Sequence, residues 1–408
     1  MSTRSMRPIR DTIPLEEARA ILLGAAHPIM RVETVGLEQA GGRVLAREVV
    51  AGQDVPPFSR AAMDGFAVVA ADTFGAGQYS PKTLRLLETV YTGQVPTRPV
   101  TAGGCTEIAT GAPMPEGADA IVMVEDTEKS EDGQVRVFSP VYPGRHVGRQ
   151  GADIRAGQAL LAAGDLLTPS RVGAVAALGL DTVDVFARPR VAILSTGNEI
   201  VPPGRPLSPG HIYDINRFTL GAIVAEHGGV PVPQPTPADT IDDLNRALDG
   251  VRGADLVIFS GGSSVGERDL MLDAVAARGE ILFHGVAVKP GKPTLFGVID
   301  GTPVLGMPGY PTSCLSNSYM LVVPLLRRIA RLPEAVRRTV TLPAGQRIVS
   351  TTGRHQFYTV RVQDGMAMPA FKQSGDITSM SQADGYIEIP AQTDIVEKGQ
   401  MVDVILFQ

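Results

Sequence analysis

Two short stretches carry residues that could handle an anion. Ser260-Gly-Gly-Ser-Ser-Val-Gly-Glu-Arg-Asp269 and Lys289-Pro-Gly-Lys-Pro293 each follow an apolar, strand-like run, residues 254–259 and 281–288. In an open α/β sheet the turns that leave the carboxyl ends of strands are where ligands bind. Glycines there let backbone N–H groups approach an anion, and a helix opening at Asp269 would point its positive end at the same place. Lys289 and Lys292 add the charge that phosphate needs, and Glu267 and Asp269 the carboxylates that a divalent cation needs. The expectation is an anion site, with phosphate first. Each feature also has a plainer reading: glycine turns often serve packing alone, Asp269 could cap a helix, and paired surface lysines are usually solvated. The prolines beside the lysines favour function, because they lower the entropy of presenting them.

Three further positions are candidates. Asp64, in Met63-Asp64-Gly65, reads first as part of an Asp-Gly turn. Thr110 opens Thr110-Gly-Ala-Pro-Met-Pro-Glu-Gly117, which could be only a rigid turn. Glu199 lies just beyond a strand end, where an acid serves equally as a helix-start charge or a metal ligand. The six histidines show no metal-ligand spacing. The chain has no Walker lysine motif or Gly-x-Gly-x-x-Gly pattern, which weakens P-loop and dinucleotide readings.

The elements that must position these residues follow from periodicity. Residues 13–23 read as a helix with Pro14 near its first turn. From about residue 49, short alternating runs at 84–90, 105–108, 120–125 and 135–138 indicate a small β domain. Residues 170–180 form a helix of small residues. Strand-like 191–194 and 256–259 then alternate with helical 216–228 and 241–251, the pattern of a parallel, doubly wound sheet. Residues 314–331 read as one long helix. After Pro333, runs at 340–342, 357–362, 386–389 and 402–407 predict a terminal β barrel or sandwich.

At 408 residues the chain is too long for one core and implies two to four domains. The net charge of −6 argues against a nucleic-acid surface. The arginines of residues 1–10 lead into no apolar segment, so no secretory or transit signal is expected, and no run spans a membrane. Two lone thiols, Cys105 and Cys314, suit a reducing cytoplasm.

The order of the motifs is more specific than any one of them. Ala62-Met-Asp-Gly-Phe-Ala67, the segment 110–117, Ser195-Thr-Gly-Asn-Glu-Ile200, Asp214-Ile-Asn216, the segments 261–269 and 289–293, and Pro308-Gly-Tyr-Pro-Thr-Ser313 together closely resemble the molybdopterin molybdenumtransferase family, MoeA and the gephyrin E domain. The resemblance runs from about residue 10 to the C-terminus. It implies an α/β multidomain chain: an elongated bridging domain (1–48 plus 144–182), an inserted β domain (49–143), a doubly wound, mostly parallel molybdopterin-binding domain (183–332) and a C-terminal β domain (333–408). It also implies a homodimer that inserts molybdenum from molybdate into adenylylated molybdopterin, releasing AMP with the help of Mg²⁺. Upstream and downstream partners would be a molybdopterin adenylyltransferase and molybdoenzyme acceptors. A non-catalytic scaffold of the gephyrin type, or a paralogue handling tungstate, are the alternatives.

By the same resemblance Gly261, Gly262, Ser263 and Ser264 with Lys289 and Lys292 would hold the pterin phosphates and AMP. Asp214, Asp239, Pro308, Pro311, Ser313, Arg354 and Ser379 would also contact substrate. Asp269, then Glu199, would hold Mg²⁺. Asp64 and Thr110 would complete the site from the partner subunit, Asp64 positioning the reacting phosphate or its attacking water and Thr110 orienting ligand. The family usually has Asn where Tyr310 stands, Val where Ser263 stands, and Arg and Glu where Gly148 and Ala152 stand.

Overall fold

Near-continuous runs of Val, Ile and Leu, each closed by a glycine turn, build the layer that carries most of the candidate residues. The computed structural model describes residues 11–237, 240–261, 270–371 and 375–407. The chain forms two units, one of Thr34–Gly41 and Leu45–Asp184, the other of Met1–Glu33, Gly42–Val44 and Val185–Gln408. The strands of the second unit include β1 (Arg190–Ser195), β2 (Val230–Pro233), β3 (Leu256–Ser260), β4 (Glu280–His284), β5 (Val288–Lys289), β6 (Leu295–Ile299), β7 (Thr302–Met307) and β8 (His355–Gln363). Six of them form one sheet in the order β2-β1-β3-β7-β6-β4, parallel from β2 to β7 and antiparallel beyond. All five residues of β3 are buried, as a strand covered on both faces requires.

Helices cover both faces. Leu15, Ala18 and Leu22 of α1 (Leu15–Ala25) and Leu220, Ile223 and Val224 of α2 (Asn216–Glu226) pack on one face with Leu321 and Leu325. Leu244 and Leu248 of α3 (Ile241–Gly250) and Met271 and Val275 of α4 (Leu270–Arg278) pack on the other. This is the doubly wound, mostly parallel layer that the alternation of elements predicted.

Two expectations need correcting. The run 281–288 is not one strand: β4 ends at His284, Gly285 turns with φ +107°, and β5 pairs with β8 instead. The cause is non-local, since Gly285 O and Ala287 N bond Ile13 at the N-terminus. Nor is 314–331 one regular helix. α5 (Pro311–Asn317) passes through a π turn, Ser318–Val322, before α6 (Val323–Ile329). Pro324 lies in the first turn of α6, and its missing N–H breaks the α ladder there.

The C-terminal β domain is a sheet in the order β5, β8, Gly385–Ile389, Met401–Leu406, Thr339–Pro343, with a two-stranded ribbon, Ile348–Val349 and Ile395–Val396. Val360, Ile387, Val396 and Val404 fill its core. Phe357 and Tyr386 stack at 3.9 Å, and Tyr319 of the π turn joins them.

In the other unit, six strands form an almost wholly antiparallel sheet in the order Ala120–Met123, Gly65–Val68, Gly104–Ile108, Lys82–Val90, Gln134–Val137, Thr127–Lys129. Phe66, Val68, Cys105 and Val122 fill one side of it and Ala67, Ile108 and Ile121 the other. Burial pushes the Cys105 thiol up to about 12, as expected of a packing thiol.

One charged cluster fastens the C-terminal sheet to the α/β layer. Glu388 lies 3.3 Å from Arg337, 3.6 Å from His355 and 3.7 Å from Arg19 of α1. Burial alone would raise its pKa, but His355 and the two guanidiniums outweigh it and hold Glu388 at about 2. A carboxylate depressed from 4.5 contributes stability that is complete above 4.5 and is lost as the pH falls towards 2. Urea denaturation at stepped pH should therefore show Glu388→Gln losing about 2–3 kcal/mol less than the wild type across that window. Parallel pH profiles for the two proteins would refute this.

Candidate functional site

The glycine turn, the Ser195-Thr196 exit and the Pro308-Gly309-Tyr310 turn leave the carboxyl ends of three adjacent strands, β3, β1 and β7. They are packed tightly there. Thr196 N donates to Ser260 O at 2.9 Å, and Gly261 N to Met307 O at 3.3 Å. Gly261 has φ +98°, and a Cβ on it would lie 2.4 Å from Thr196 O. Its amide is thus engaged within the sheet, and the place a Cβ would take is filled by the Thr196 exit. Gly309 is equally close, a Cβ there lying 3.4 Å from the Gly261 Cα. Asn216 Nδ2 donates to Gly309 O at 2.8 Å, fixing the third turn from α2.

The structure brings Pro308, Pro311 and Ser313 together with Gly261 at this edge. Pro308 and Ser313 are buried, Pro311 half-buried, and Tyr310 stands 66% exposed at the start of α5. Asp214 is buried, and its Oδ1 accepts from Arg217 N at 3.0 Å, so its visible role is to close the first turn of α2. Glu199 is exposed beyond β1, its carboxylate curled over Gly197, whose Cβ would lie 2.6 Å from it. Among the described residues no group of three or more His, Cys, Asp or Glu side chains gathers to hold a metal. Gly262, Ser263, Ser264, Glu267, Asp269 and Asp239 lie outside the described residues.

The lysine turn joins the same edge. β4 runs in the direction of β7, so its carboxyl end and the turn into β6 lie on the side where β1, β3 and β7 end. Lys289 Nζ donates to Thr351 Oγ1 at 2.5 Å. A neutral hydroxyl cancels none of the ammonium's charge, and among the described residues no carboxylate pairs with this half-buried cation. Lys292, also half-buried, closes the turn through its carbonyl, which accepts from Val286 N and Thr294 N at 3.0 and 2.9 Å. Arg354 and Ser379 lie in the C-terminal domain, Arg354 half-buried three residues after Thr351 and Ser379 buried on its short helix Thr378–Ser381.

Thr196, Asn216 and Thr351 were not singled out in the sequence reading. The first two lie inside quoted motifs, where position next to a strand end was the available signal. Thr351 carried none, because its contact with Lys289 spans 62 residues.

In the other unit Asp64 and Thr110, 46 residues apart, meet. Asp64 Oδ1 accepts from Thr110 N at 2.7 Å and from Thr110 Oγ1 at 2.8 Å. Strand pairing causes this: Gly65↔Ile108 places the residue before one strand beside the turn after the other. Gly65 is required, since a Cβ there would sit 2.0 Å from Val122 O. The Thr110 amide, then its hydroxyl, hold the exposed Asp64 carboxyl below the usual carboxylate range. Replacing Thr110 by Val removes the hydroxyl and keeps the amide, so the Asp64 titration, followed by carboxyl ¹³C NMR against an Asp64→Asn reference, should move up towards the ordinary value. An unmoved titration would show the hydroxyl to be irrelevant.

Three family models match successive parts of the chain. Residues 13–179 match the MoeA N-terminal region (domain I and II), 192–328 a probable molybdopterin binding domain, and 341–407 the MoeA C-terminal region (domain IV). Molybdopterin molybdenumtransferase 2 of Mycobacterium tuberculosis is 37% identical over 401 residues, covering 94% of this chain and 96% of the relative. The molybdopterin molybdenumtransferase of Haemophilus influenzae is 33% identical over 318 residues, 78% of each chain. Two solved structures of the molybdopterin biosynthesis MoeA protein of Pyrococcus horikoshii superpose with TM-scores of 0.84 and 0.82. They are 39% and 30% identical, covering 98% and 97% of this chain and 100% of theirs. With relatives of this identity spanning nearly the whole chain, and a domain series that matches the fold, the chain belongs to the molybdopterin molybdenumtransferase (MoeA) family.

Proposed function

We propose that this chain acts in molybdenum cofactor biosynthesis, inserting molybdenum from molybdate into adenylylated molybdopterin with hydrolysis of the phosphoanhydride and release of AMP. The observation that carries the reading is the lysine turn at the carboxyl edge, the edge such sheets use for ligands, where the Lys289 ammonium has a neutral hydroxyl as its hydrogen-bond partner. Lys289 and Lys292 neutralise the adjoining phosphates, or molybdate, itself a dianion. Gly261 and Gly309 let the neighbouring strand exits pack side by side at that edge. Ser313, Pro308 and Pro311 line the neighbouring turn, and Arg354, Ser379, Asp214 and Asp239 are assigned to substrate contact by the family pattern. The same holds for Gly262, Ser263 and Ser264.

Mg²⁺ suits this donor set in one specific way. It usually binds through one or two carboxylates plus substrate phosphates and water, so the lack of a described acid cluster is compatible with it. Asp269 and Glu199 would hold it, and when bound it would offset charge on the phosphoanhydride oxygens. The proposed arrangement is four domains, 1–48 plus 144–182, 49–143, 183–332 and 333–408, in a homodimer. Asp64 and Thr110 of one copy complete the site on the other. A molybdopterin adenylyltransferase would supply the substrate and molybdoenzymes accept the product, in the cytoplasm. No described helix is long and apolar enough to cross a membrane.

Molybdate-dependent AMP release from adenylylated molybdopterin tests the reading. Asp64→Ala, Lys289→Ala and Asp269→Ala should each lower kcat/KM by roughly 10²-fold. Mixing Asp64→Ala with Asp269→Ala subunits should restore about a quarter of the wild-type rate, because half of the dimers are then mixed and each has one intact site of two. Equal AMP release by wild type and variants would refute the enzymatic reading. No recovery after verified subunit exchange would refute the shared site.

A further inference from the structure

We infer that Asn317 is a positioning residue that holds Lys289 and Lys292 in place for an anionic ligand. The inference rests on the lysine turn being the anion contact. Asn317 ends α5 between the buried Ser316 and Ser318, about one turn from the core residues Cys314, Met320 and Leu321, and is fully buried. Its Nδ2 donates to Gly291 O at 2.8 Å and to Thr294 Oγ1 at 2.6 Å. Thr294 Oγ1 in turn donates to Gly291 O at 2.9 Å. The carbonyl lying between the two lysines is therefore held by two donors. Pinning it fixes the peptide units that join Lys289 to Lys292 before any ligand arrives, so less ordering accompanies binding.

The fit between brace and turn is close. Gly291 has φ +104°, and a Cβ there would lie 2.4 Å from Asn317 Oδ1. The amide cannot be reversed, because Gly291 O can only accept. Its Oδ1 is consequently buried without a hydrogen-bond partner among the described residues. The unpaired acceptor offsets part of what the two Nδ2 hydrogen bonds contribute, so the net stabilisation from this amide is small. Asn at this position is explained by what it does to the turn. α5 also begins at Tyr310, whose carbonyl accepts from Cys314 N at 2.9 Å. One short helix thus sets both the 308–311 turn and the lysine turn.

Calorimetric binding of AMP and of inorganic pyrophosphate to the full chain, over a series of salt concentrations, tests this. Asn317→Leu should keep its Tm within about 4 °C of the wild type. It should bind both probes roughly tenfold more weakly, with a flatter salt dependence approaching that of Lys289→Ala. Ser318→Ala, which removes the buried hydroxyl that bonds Cys314 O on the next residue, should bind as the wild type does. Gly291→Ala, whose added methyl displaces the amide, should reproduce the Asn317→Leu loss and covers the case in which Asn317→Leu does not fold. Wild-type affinity and salt slope in Asn317→Leu and Gly291→Ala, with Lys289→Ala and Lys292→Ala impaired, would overturn the positioning role and leave the anion site intact. Wild-type binding by both lysine variants would overturn the anion site and this inference with it.

Discussion

Three parallel strands end side by side, and their exits must separate within one or two residues of a spacing of about 4.8 Å. Gly261 resolves the crowding: it turns at φ +98° where Thr196 O would lie 2.4 Å from any Cβ, and it lets Gly309 come up beside it. The rest of the crevice follows. Asn216 can then reach Gly309 O, α5 can start at Tyr310, and α5 can bring Asn317 beneath Gly291. A methyl group at Gly261 would push on the 196 exit first and on the 308–311 turn next, and through α5 on the lysines. Geometry at the carboxyl edge is in this sense a single cooperative contact set.

The C-terminal domain belongs to the same set. β5 leaves the α/β sheet to pair with β8, and two residues of pairing are enough to bring Thr351 against Lys289. Pairing so short needs support, which comes from the Phe357–Tyr386–Tyr319 stack and from Glu388 held by Arg337, His355 and Arg19. Both supports draw on the N-terminal helix or the π turn, so the chain's two ends and its middle converge within a few residues of the lysine turn. Loss of any one partner still leaves Glu388 two others, so the cluster depends most on the carboxylate itself.

The sequence was most informative where structure is local. Continuous apolar runs became β1 and β3, glycine turns followed them, and the helices of both faces fall within a few residues of their expected bounds. The proline-flanked lysines and the Asp64 and Thr110 motifs could be picked out because glycine and proline punctuate the chain there. What could not be read depends on contacts between distant residues. Ile13 divides the run 281–288, and Asn317 and Thr351 reach the lysine turn from 26 and 62 residues away. Periodicity reports which face of an element is buried, and says nothing of which partner is waiting there. The π turn was hidden for a related reason, since an apolar stretch with Pro324 inside it reads as a helix of the same length.

The Asp64–Thr110 pair narrows the role proposed for this carboxylate. A carboxylate beside phosphates is repelled unless a water, a proton or a cation lies between them. Two hydrogen bonds from Thr110 favour its charged form, which holds its pKa down and makes it a weaker proton acceptor than a free carboxylate. Efficient general bases have pKa values near the working pH, which a stabilised anion moves away from. What a fixed, ionised oxygen does well is accept a hydrogen bond along a set direction. An oriented, ionised carboxylate held through one oxygen by Thr110 therefore suits the positioning role proposed for Asp64 better than it would suit the removal of a proton.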